Sequence, residues 1–153
     1  MGLTIVKAWP TRINTAAPEA KANYDAQLWA KNNTEEDAVF MIFGDNWLTV
    51  SQRPIRHLLP GRGYYTYTRS REAKKWTDDL LVFYGLQSMR GKMLHTQFYN
   101  HLIAACYNLN EDKIIQMGKS FGGDYIVRSI DHPLDFTVAY RNDYYVIYNL
   151  PKQ

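Results

Sequence analysis

A chain of 153 residues is the size of one domain with one core, and a hydrophobic share of 46% excludes a disordered chain. Cys106 is the single cysteine, which excludes an intrachain disulfide and a zinc site built of cysteines, and no apolar run nears the roughly 20 residues that span a bilayer. The formal charge of +3 is slight but uneven: residues 35–52 carry −4 (Glu35, Glu36, Asp37, Asp45), whereas residues 53–75 carry +6 from five Arg and two Lys against Glu72.

Residues 1–17 lack periodicity and read as an extended lead-in, with one strand over Leu3–Ala8, ahead of a single domain over 18–153. Pro18 suits the first turn of a helix, where its missing N–H is harmless. That helix is expected over Glu19–Asn32, with Tyr24, Leu28, Ala20 and Lys31 on one face and Trp29 widening it. Thr34-Glu-Glu-Asp37 is a polar turn. Residues 38–43, AVFMIF, carry no charge and predict a central strand covered on both faces, stopped by Gly44-Asp45-Asn46. Trp47–Ser51 fits a strand or a short helix equally. Pro54 restricts the next segment to an edge strand or a loop.

Further along, YYTYT at 64–68 has strand composition. Residues 70–87 predict a helix with Ser70 as N-cap and a stripe of Trp76, Leu80, Phe83 and Tyr84. A second helical pattern covers 93–107 through Leu94, Phe98, His101 or Leu102, and Ala105, with Cys106 as a small core residue. Asn110 is a good N-cap for a third, with Glu111 and Asp112 in its first turn, Ile114, Ile115, Met117 and Gly118 inward, and Gly122-Gly123 as its stop. Tyr125–Val127 predicts a short buried strand. FTVAY and YYVIYNL around Arg141-Asn142-Asp143 predict a hairpin. The order implies an α/β layered fold, Rossmann-like, with a mixed sheet flanked by helices and a C-terminal β-hairpin.

Several stretches resemble a known arrangement. Trp29-Ala30-Lys31-Asn32-Asn33-Thr34-Glu35-Glu36-Asp37-Ala38-Val39-Phe40, Gly123-Asp124-Tyr125-Ile126-Val127 and Val146-Ile147-Tyr148-Asn149-Leu150 are similar to the opening and closing patterns of soluble C-terminal domains in bacterial multi-pass membrane proteins that resemble C-class glycosyltransferases. The likeness covers residues 16–50 and 110–151. It implies a domain on the extracytoplasmic side of a membrane, attached through a segment upstream, and able to contact glycan or lipid-linked sugar. The catalytic acid of such enzymes lies between membrane helices, so no catalytic residue carries over. Without that likeness the chain reads as cytoplasmic.

The sharpest candidate site from residues alone is the basic, Tyr-rich segment 53–71. Arg53, Arg56, Arg62 and Arg69 offer forks for phosphate or carboxylate oxygens. Tyr64, Tyr65 and Tyr67 offer rings that stack on sugars or bases. An edge strand kept soluble by charge explains the same composition. A second candidate follows from position: ligands of open α/β sheets bind beyond the carboxyl ends of the strands. Asp45 and Trp47, just past the 38–43 strand, are expected there with His57, although Gly-Asp-Asn makes a turn unaided.

His95 and His101 are six apart, not a same-face helical spacing, and no HExxH, GxSxG, P-loop or GxGxxG occurs. These observations imply no cofactor and no metal. The expectation is a domain without catalytic activity of its own. The alternative is a small basic nucleic-acid-binding protein or a nuclease, for which Glu72-Ala73-Lys74 supplies one fragment of a motif.

Overall fold

A computed structural model describes residues 17–43, 47, 50–58, 71–89, 91–92 and 95–151. The expected strands at 3–8 and 64–68, the turn at 44–46, the Ser70 cap and Leu94 lie outside these residues. The described elements are α1 (Pro18–Asn33), β1 (Phe40–Ile42), β2 (Ile55–His57), α2 (Arg71–Tyr84), a 3-10 turn (Gln87–Met89), α3 (His95–Tyr107), α4 (Glu111–Phe121), β3 (Tyr125–Ser129), β4 (Val138–Arg141) and β5 (Tyr145–Asn149).

The strands form one mixed sheet of five in the order β2-β1-β3-β5-β4. β1 runs parallel to β2 and β3, with Phe40 opposite both Ile55 and Tyr125. The hairpin β4–β5 adds antiparallel to β3, with Ile126 opposite Tyr148. Side chains alternate across the sheet. Phe40, Ile42, Val127 and Ile147 pack toward α1. Met41, Ile126, Val146 and Tyr148 pack with Leu80, Leu81, Leu102, Ile114 and Met117 of α2, α3 and α4. Each face of the sheet therefore buries its own core, and all three residues of β1 are buried, as a continuous apolar run requires. The expected α/β class, mixed sheet, flanking helices and terminal hairpin are present.

Differences from the sequence reading are local. β1 is shorter than 38–43. β3 continues past Val127 through Arg128 to Ser129. The helix expected over 70–87 ends at Tyr84, where Gly85 takes φ 69°. In α3 the buried position is Leu102, not His101, which is exposed.

The inward face of α1 is a correction. Ala22, Ala26, Gln27 and Ala30 are buried, while Leu28 is 37% exposed. A stripe of alanines lets the helix lie close on the sheet, and a bulky residue there would hold it off. Hydrophobicity alone picks the largest apolar side chains, which is why Leu28 was expected inside.

The candidate crevice at the carboxyl ends of β1 and β3

After β1 the chain leaves toward β2 on one side. After β3 it leaves toward β4 on the other. This divergence opens a crevice between the carboxyl ends of the two strands, the topological switch point of an open α/β sheet. A cavity of about 430 Å³ lies there. Its floor is Ile42, the last residue of β1, and Phe43 just past it, with Val127, Arg128 and Ser129 from β3. Trp47, Tyr107, Tyr144 and Tyr145 supply aromatic walls. Glu19, Asn23 and Asp131 supply polar groups.

Local structure fixes each contributor. Glu19 and Asn23 stand on the first turns of α1, which starts at Pro18. Gln27, on the same helix, donates to the Asn23 amide oxygen and accepts from the Val50 amide at 3.2 Å. That pins Val50 to α1. Trp47 is 3% exposed and its ring lies 6.1 Å from that of Phe40. Tyr145 begins β5 and donates to Glu19 at 3.2 Å. Burial first of all, and then Glu19, raise its hydroxyl above the ordinary tyrosine range, while a bond from Asn23 opposes them, so it stays a proton donor at neutral pH. The Ser129 hydroxyl donates to Asp131 at 3.4 Å.

Arg128 is the unusual member. It is 3% exposed, inside a strand. Its terminal nitrogens donate to the carbonyls of Cys106 at 3.4 Å and Tyr107 at 3.0 Å, the last residues of α3. A cation there meets the negative end of the helix dipole. The guanidinium carbon also sits 4.4 Å from the centre of the Phe43 ring and 5.9 Å from that of Tyr107, both within cation–π reach. Burial lowers its proton affinity, opposed by Cys106 and by Tyr107, Tyr148 and Tyr84, yet an arginine remains charged. Tyr107 is stacked in turn on His132, with centres 4.5 Å apart.

The residues expected at a site divide four ways. Trp47 lines the crevice, at the carboxyl end of β1 where position placed it. Arg53 serves the scaffold: it donates to Thr34 Oγ1 at 3.1 Å and to the carbonyls of Lys31 at 2.5 Å and Thr34 at 2.7 Å, capping the end of α1. Arg56 is exposed and His57 half-buried on edge strand β2. Asp45, Arg62, Tyr64, Tyr65, Tyr67 and Arg69 lie outside the described residues.

Arg128, Tyr107, Tyr145, Glu19 and Asp131 were missed. Only Arg128 left a signal: a charge continuing the apolar run YIV at a strand's carboxyl end. Among the described residues no cluster of three His, Cys, Asp or Glu is placed to hold a metal. None of their helices is long and apolar enough to cross a membrane. No family model, no curated protein and no solved structure matches this chain.

Proposed function

We propose that this domain is a non-catalytic binding module for a hydroxyl-rich small molecule of sugar size, held in the crevice between β1 and β3. The crevice lining supports this reading above all. Sugar rings have apolar C–H faces and polar hydroxyl edges. Aromatic rings such as Tyr107, Tyr144 and Trp47 suit the faces, and Glu19, Asn23, Ser129 and Asp131 suit the hydroxyls. The volume of about 430 Å³ falls within the roughly 300–1,000 Å³ common for ligand sites. The nucleic-acid alternative is weaker, because Arg53 is bound to the end of α1.

The sequence likeness extends the proposal: the module belongs to a membrane-embedded cell-envelope protein and works on the extracytoplasmic side. Membrane helices encoded upstream of Met1 are the expected finding, and a reading frame without them sinks that part. The binding part is tested by titrating the purified chain with mono- and disaccharides in a calorimeter. Binding is expected, weakened about tenfold by Asp131→Asn through loss of a charge-assisted hydrogen bond. If no saccharide binds at millimolar concentration while single-stranded RNA binds at low salt, the alternative takes its place.

A further inference from the structure

Among the described residues, the buried side-chain nitrogens and oxygens that lack a hydrogen-bond partner are Trp47 Nε1 and Arg128 Nε. Native interiors keep few such groups, because a desolvated donor without an acceptor is costly. Both residues line the crevice, Trp47 from the α1 side of the sheet and Arg128 from the side of α3. Both are donors, and one carries a full positive charge. An arginine has five N–H donors, and two bonds to carbonyls are made here. Ion pairs among the described residues are Lys21–Asp25 and Lys75–Asp79, so no carboxylate there neutralises Arg128. Trp47 lacks an acceptor of any kind, and Arg128 lacks an anionic one.

We propose that the ligand is acidic: a sugar or similarly hydroxylated molecule whose single carboxylate or phosphate engages Arg128 while another of its oxygens accepts from Trp47 and its hydroxyls meet Glu19, Ser129 and Asp131. This rests on the sugar-binding reading above and specifies its ligand class. A guanidinium fork matches two-oxygen anions better than any other side chain does. Neither Glu19 nor Asp131 forms an ion pair with Arg128. They polarise the crevice instead, accepting from hydroxyls and rejecting a second anionic group on the ligand. Both unpaired nitrogens are closed to water in this conformation. An anion therefore reaches them only as the indole or the Phe43 ring shifts on entry.

The test uses the whole chain and five probes: glucose, glucuronate, glucose 6-phosphate, acetate and inorganic phosphate. Affinity is measured by calorimetry, and the Trp47 indole N–H is followed by NMR, assigned among the four tryptophans by Trp47→Phe. Glucuronate or glucose 6-phosphate is expected to bind at least about tenfold more tightly than glucose and to move the Trp47 signal. Whichever of the two binds identifies the anion. In Trp47→Phe, checked for folding by circular dichroism, affinity for the acidic sugar is expected to fall several-fold. Equal binding of glucose and the acidic sugars overturns this inference and leaves the sugar reading standing. Acetate or phosphate binding as tightly as the acidic sugars retains the anion site and overturns the sugar reading. No binding of any probe overturns both.

Discussion

Cys106 illustrates how far one residue's chemistry is set by its surroundings. Its thiol is fully buried, 3.6 Å from the Tyr84 hydroxyl and 3.8 Å from the Leu58 carbonyl. Tyr84 itself donates to that carbonyl. Burial pushes the thiol up from 9.0 to about 12, against smaller opposing effects of Tyr84 and Arg128. A neutral thiol is a poor nucleophile. In the folded chain Cys106 is expected to resist iodoacetamide and to react only on unfolding, and rapid native alkylation would refute its place in the core. The sign for stability follows from linkage. The folded value lies above the unfolded one, so the contribution is whole below pH 9.0 and fades as pH climbs toward about 12. Urea midpoints of the native protein and Cys106→Ala should run in parallel below pH 9.0 and converge above it. The placement of Cys106 in the core was legible in its apolar neighbours; the contact with Tyr84 was not.

At the scale of elements, the ends of helices were the most legible features because capping is local. Asn110 accepts from the Lys113 amide at 3.0 Å, and Glu111 and Asp112 occupy the first turn. Gly122 closes α4 at φ 68°, in the left-handed region, with its amide donating to Gly118. Asn110→Ala is expected to cost about 1 kcal/mol, read as a lowered urea midpoint with an unchanged slope; no shift would mean that water replaces the cap without loss. The faces of helices were less legible. The Leu102 face of α3 required a choice between neighbouring residues. The alanine face of α1 was missed, since its partner is a sheet whose proximity no local pattern encodes. The Arg53 cap on α1 joins residues 19 apart or more and has no sequence signature either.

Among the described strands of the molecule, the sheet order places β3 in the centre, between β1 and β5, with β2 and β4 outermost. Central strands open only with global unfolding, whereas edges fray. Amide exchange should therefore be slowest at Ile126 and Val127 and faster in β2 and β4 by orders of magnitude. Equal protection across the sheet would contradict this order. The crevice belongs to the same scale. It joins the start of α1, the end of β1, the end of α3, the end of β3 and the start of β5. Its position beyond β1 was legible, through the general rule that placed Trp47 there. Its membership was not.

Short-range physics is written in the amino-acid order: an uncharged run that becomes a buried strand, polar caps and glycines that stop helices, and paired β-rich segments that close into a hairpin. Which side chains meet is settled by the folded arrangement of the elements. Strand order brings Phe43, Tyr107 and Arg128 together from three distant segments, and the charge of Arg128 acquires its meaning from helix carbonyls and aromatic rings that are not its sequence neighbours. Contacts of this kind depend on the register and order of the sheet, which arise from the summed burial of both faces rather than from any local signal.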